Sequence, residues 1–227
     1  MFFFDSTMLL LIPPLLLALY AQSKIKSAYR KYSQIRNQSG LTGRETAMRL
    51  LRDNGIDDVT VEEVQGTLSD HYDPRAKVVR LSTDNFHGAS LAALSVSAHE
   101  VGHAIQDAKD YGPLRLRHSI LPVTNIGSMA AFPLFIAGML FSWPMLMDLG
   151  IIFFGGVVLF HAVTLPVEFN ASSRAMAQLE DRGYLSSEET RSAKKVLDAA
   201  ALTYVAAAAM AAMNLVRLLI LRGGMDD

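Results

Sequence analysis

No cysteine occurs among the 227 residues, which excludes a disulfide framework and any thiolate metal site. A metal held by this chain must therefore use nitrogen and oxygen donors, a set that suits zinc with two histidines and a carboxylate. Charge is scarce as well: 19% of residues are charged against 51% hydrophobic, and the formal net charge is -1. That balance speaks against a nucleic-acid partner. The scarcity is uneven, since 14 of the 21 Lys and Arg fall within 24–117 and five within 174–195. Residues 1–5 have no basic side chain and 18–21 make a poor cleavage site, so the first apolar run reads as an uncleaved anchor rather than a signal peptide.

Long uncharged runs fill the remainder. Residues 8–21 form a marginal span that Pro13 and Pro14 would kink, and 120–141 and 144–165 each reach the ~20 residues a spanning helix needs. The alanine-rich stretch 199–221 is a fourth candidate, with small residues that permit close helix packing. Asn214 and Arg217 make it less secure than the middle two, or turn it toward a polar interior. The link 142–148 has no Lys or Arg, and an N-out arrangement of four spans puts 19 of the 21 basic residues on the cytoplasmic side. The expected organisation is an anchor at 1–23, a cytoplasmic domain at 24–118, a transmembrane hairpin at 119–166, a cytoplasmic helical segment at 167–197, and a last span with its tail at 198–227.

Within the first cytoplasmic segment, Thr42 and Glu45 fit a capping box that opens a short amphipathic helix over 42–54. Gly55 can take the left-handed conformation that ends it. Residues 59–64 and 78–81 are β-branched runs separated by the turn-rich stretch 69–75, which predicts a small hairpin or two edge strands. An exposed strand beside a cleft can bind an extended peptide through its main chain; a purely structural edge is the equal alternative. Ser90 is a good N-cap for a helix over 91–109.

That helix contains S-V-S-A-H-E-V-G-H-A-I-Q, in which His99, Glu100 and His103 stand in the order H-E-x-x-H. Residues four apart share a helix face, so the two imidazoles can converge on one metal ion, with Glu100 beside it where a carboxylate can accept and return a proton. Gly102 has a helix-propensity cost of about 1 kcal/mol relative to Ala, which a close approach of backbone or metal ligand would explain. A catalytic zinc needs a third protein ligand. Glu168, on a helix continuing out of the third span, is favoured because two membrane crossings after His103 bring the chain back to the same face. The alternatives are His161, His118, His71, His87, Asp107 and Glu180.

Together, H-E-V-G-H-A-I-Q, the D-H-Y-D-P segment from Asp70 and L-P-V-E-F-N-A-S-S-R-A from Leu165 resemble the YugP-type neutral zinc metallopeptidases of bacterial membranes. More distantly they resemble the gluzincins, including membrane-embedded heat-shock and CAAX-processing proteases. The resemblance implies a mainly α membrane protein of about four transmembrane helices with a small cytoplasmic α+β zincin-like domain carrying the HEXXH helix. It implies zinc as cofactor, His99, His103 and Glu168 as ligands, and Glu100 as general base. Many gluzincins carry an aspartate four residues after the ligand glutamate to orient a histidine; here that position is Ser172. Orientation must then come from Ser172 itself, from Asn170 or from elsewhere.

The reading is of a multi-pass enzyme of the cell membrane, its site on the cytoplasmic side, hydrolysing protein or peptide substrates. Its further partners would be the lipid bilayer and a second copy or a regulatory membrane protein; the alanine-rich span is compatible with self-association as well as with packing inside one bundle. Arg174, His71 and Tyr72 are candidates to stabilise the developing oxyanion. A non-proteolytic scaffold with a structural zinc is the rival, although such a site has no use for Glu100 and more often shows four protein ligands. A metal or ion transporter ranks last, because only His161, Asn214 and Arg217 lie near or within spans.

Overall fold

The computed structural model describes residues 6–224; the first five residues of the expected anchor and the last three of the tail lie outside the described residues. Seven α-helices and three short strands follow in the order α1 (Ile12–Ser33), α2 (Gly43–Asp53), β1 (Thr60–Val64), β2 (His71–Asp73), β3 (Val78–Ser82), α3 (Thr83–His87), α4 (Leu91–Ala108), α5 (Gly112–Leu140), α6 (Pro144–Asp181) and α7 (Ser187–Gly223). Contacts divide the chain into two units. One comprises Ser23–Leu114 with Pro166–Ala201, and the other the described residues of Met1–Gln22, Arg115–Leu165 and Leu202–Asp227.

Among the described residues four helices are long and apolar enough to cross a membrane: Ser6–Ser33, Gly112–Leu140, Pro144–Asp181 and Ser187–Gly223. The first opens with a 3-10 stretch at Ser6–Leu11. Pro13 and Pro14 fall in the first turn of α1 rather than mid-helix, where a missing N–H takes nothing from the hydrogen-bond ladder, so the kink expected of them is not needed. In the second unit Ala131, Phe135, Met147, Phe154 and Leu218 form the core. Its outward side chains are apolar too: Val123 is 72% exposed and Met129 80%. An apolar shell around an apolar core is the pattern of a helix bundle meant for lipid rather than water.

The first unit is built as a water-soluble domain is. Thr42 caps α2 through a complete capping box with Glu45, and Gly55, at φ +67°, follows the C-cap in the left-handed conformation. The expected hairpin is not what forms. β1 pairs with β3 in parallel, β2 pairs with β3 antiparallel, and the order is β1-β3-β2. β3 is therefore the central strand and not an edge. Its near-continuous burial, with Val78, Val79 and Leu81 all at 2% exposure or less, is what a strand covered on both sides requires. The D-H-Y-D segment, expected to be only a turn, supplies the extra strand. On the polar face Arg80 stands between Glu62 and His71 in register and pairs with Glu62 at 3.3 Å.

Leu50, Leu51, Val79, Leu81, Leu94, Val101, Leu179, Val196 and Leu197 join in one core. Ile25 and Tyr32 of α1 join them, so that six elements contribute, and α4 runs through the core with fourteen of its eighteen residues buried. Ser90 caps α4 by accepting from the Ala93 N–H at 3.1 Å, as its sequence position predicts.

Candidate metal centre

α4 is buried on nearly every side, and that packing is what positions the histidines. One helical turn separates His99 from His103, and their rings stand 4.8 Å apart and nearly perpendicular. Glu168 arrives from α6. Its Oε2 lies 3.3 Å from His99 Nε2 and 3.5 Å from His103 Nε2, with the three side chains 13%, 11% and 3% exposed. Among the described residues this is the group of three whose donor atoms, all within 4.8 Å of one another, can hold a metal ion.

Gly102 permits the approach. A Cβ there would meet the Ala171 carbonyl oxygen at 2.7 Å and its Cα at 3.2 Å, so the backbones of α4 and α6 touch between the two histidine turns. The close contact anticipated for this glycine is present, and it is made by the helix that bears Glu168.

The outer nitrogens of both rings are engaged. His99 Nδ1 lies 3.1 Å from Ser172 Oγ, and His103 Nδ1 lies 3.0 Å from Gln106 Oε1. Gln106 in turn donates from Nε2 to the Val167 carbonyl at 2.8 Å and to Asn170 Oδ1 at 3.0 Å. Ser172 thus meets His99 directly, whereas Asn170 reaches His103 only through Gln106. Gln106 went unassigned from sequence, although a glutamine three residues after His103 on one helix face is within reach of that ring.

Glu100 is buried at 8% exposure. Burial pushes its carboxyl above the usual carboxylate range, Glu168 adds to the rise, and the two histidines oppose it. Tyr72, in β2, donates its hydroxyl to Asp107 Oδ2 at 2.8 Å; burial first, then the Asp107 carboxylate, hold that phenol far above its ordinary value. Lys77 Nζ shares the same Asp107 oxygen at 2.8 Å.

The other residues weighed as ligands are occupied elsewhere. His71 sits exposed on the sheet, its Nδ1 2.8 Å from the Ser69 carbonyl oxygen and its Nε2 3.4 Å from Arg80. His87 pairs with Glu63 at 3.2 Å, and Glu180 accepts from Ser187 Oγ at 3.1 Å. His118 and His161 belong to the apolar unit. Arg174 donates from Nε to Asn170 Oδ1 at 2.7 Å, and its guanidinium lies 5.9 Å from the centre of the Tyr111 ring.

The donor set fits zinc. Donors about 2.0–2.1 Å from a tetrahedral ion are separated by edges of about 3.4 Å, and the two histidine-to-glutamate distances of 3.3 and 3.5 Å match that edge. Two imidazoles and one carboxylate are also the donor types that zinc accepts in sites with an open fourth position.

Residues 7–223 match the model of a family described as "Putative neutral zinc metallopeptidase", and the chain belongs to that family. It is 50% identical over 219 residues to "Putative membrane protease YugP" of Bacillus subtilis (strain 168), an alignment that covers 96% of this chain and 97% of that protein. No solved structure matches.

Proposed function

We propose that the protein is a multi-pass membrane zinc endopeptidase in which His99, His103 and Glu168 hold the ion and Glu100 is the general base. The observation that carries this is the convergence of two Nε2 atoms on Glu168 Oε2 at 3.3 and 3.5 Å, with a buried carboxylate next in sequence to the first histidine. Zinc bound there supplies a water of lowered pKa and a positive charge to polarise a carbonyl. Glu100 takes the proton of the attacking water and delivers it to the leaving amine nitrogen, a role for which a carboxylate next in sequence to the first ligand is placed. Three protein donors rather than four support catalysis over a purely structural ion.

The zincin-like domain of α2 to α4 with the β-sheet faces the cytoplasm in this reading, because the basic residues concentrate there. Its substrates are proteins or peptides at the membrane surface. The test is digestion of casein and of a peptide library by purified full-length protein and by Glu100→Gln. The variant is expected to keep its zinc and lose activity by about 10²–10⁴-fold; undiminished cleavage would remove Glu100 from the mechanism.

A further inference from the structure

Beyond the three ligands, a line of polar groups, buried at Gln106 and half-buried at Asn170 and Arg174, joins α4 to α6. We infer that Arg174, Asn170 and Gln106 form an orienting relay that sets His103 in the tautomer protonated on Nδ1, leaving the Nε2 lone pair for a metal ion that Glu168 would share. The inference rests on reading His99, His103 and Glu168 as a metal site.

Its direction follows from groups that have one role only. An arginine Nε–H can only donate, so the Asn170 atom 2.7 Å from Arg174 Nε is the amide oxygen. A main-chain carbonyl can only accept, so the Gln106 atom 2.8 Å from the Val167 oxygen is the amide nitrogen. That nitrogen also reaches Asn170 Oδ1 at 3.0 Å, and the assignments made from the two ends agree. Gln106 Oε1 is then what faces His103 Nδ1 at 3.0 Å. An oxygen acceptor there requires a proton on Nδ1, and a neutral imidazole protonated on Nδ1 carries its lone pair on Nε2.

Reversing the Gln106 amide puts like against like. Gln106 is fully buried, and a flipped amide would set its oxygen against the Val167 carbonyl. Arg174 is held at the outer end by the face of Tyr111. The short side chains of the relay can meet because the two helices touch at Gly102 and Ala171. His99 has no such fixed partner, since the Ser172 hydroxyl at 3.1 Å can either donate or accept. The two histidines are therefore unequal: one is set by the protein, and the other adapts.

Arg174, Asn170 and Gln106 are positioning residues, and the experiment reads the ring and the metal rather than turnover. Full-length protein labelled with 15N-histidine is measured by NMR in its zinc-loaded form, and zinc affinity is obtained by chelator competition for wild type, Gln106→Leu, Asn170→Leu and Asn170→Asp. In the wild type His103 is expected to show a protonated Nδ1. Gln106→Leu and Asn170→Leu are expected to weaken zinc binding by about 10–100-fold, while Asn170→Asp, which keeps the acceptor for both donors, restores nearly wild-type affinity. A wild-type His103 protonated on Nε2 would overturn the relay, as would Asn170→Leu and Asn170→Asp behaving alike; both hold if Gln106→Leu fails to fold. A wild type that binds no zinc would instead overturn the metal reading on which the relay rests.

Discussion

Gly102 and Ala171 touch: a Cβ on the first would lie 2.7 Å from the carbonyl oxygen of the second. Gly102→Ala is therefore a test of how closely α4 and α6 must approach. Alanine favours the helix by about 1 kcal/mol, but its methyl group forces apart the two elements that bring His99, His103 and Glu168 together. The expected outcome is intact helix content with zinc affinity lowered by about tenfold or more, measured by circular dichroism and chelator competition. Unchanged affinity would mean that the crossing yields without disturbing the ligands.

Ser172 lies 3.1 Å from His99 Nδ1. A carboxylate there accepts from Nδ1–H alone and so fixes the tautomer that the hydroxyl leaves open. Ser172→Asp is expected to tighten zinc binding by up to about tenfold, and Ser172→Ala to weaken it. Chelator competition on both variants checks the ordering. Weaker binding by the aspartate variant would show that His99 is not oriented through this nitrogen.

The absence of cysteine makes single introduced thiols unambiguous reporters of sidedness. Arg75, in the exposed loop between β2 and β3, and Trp143, 53% exposed between α5 and α6, are suitable sites. With the proposed orientation, Arg75→Cys in intact cells resists an impermeant maleimide until the membrane is permeabilised, whereas Trp143→Cys is labelled from outside. The reverse pattern would move the site to the outer face.

The sequence revealed most where one physical constraint acts alone. Spanning helices are legible because apolar length decides them, and the caps at Thr42 and Ser90 because each satisfies an identifiable backbone N–H. His99 and His103 follow from helical periodicity, and Glu168 from the parity of membrane crossings together with the family motif. The sheet was harder. Val78 to Ser82 carries β-branched residues whether it is an edge or a centre, and its place is set by the distant partners β1 and β2 rather than by its own composition. Gln106 was hidden for the same reason, because its meaning depends on Val167 and Asn170, more than sixty residues later. Arg174 reads from its charge as a candidate electrophile or an ion-pair partner, and its Nε hydrogen bond to Asn170 is a third use that charge alone does not indicate.

The central claim is that Glu168 completes a three-ligand zinc site with the two histidines of α4, and metal analysis of purified, dialysed full-length protein addresses it most directly. Wild type is expected to retain one zinc per chain and Glu168→Ala to lose it, with the fold of both checked by circular dichroism. Equal zinc content in wild type and Glu168→Ala would contradict the claim.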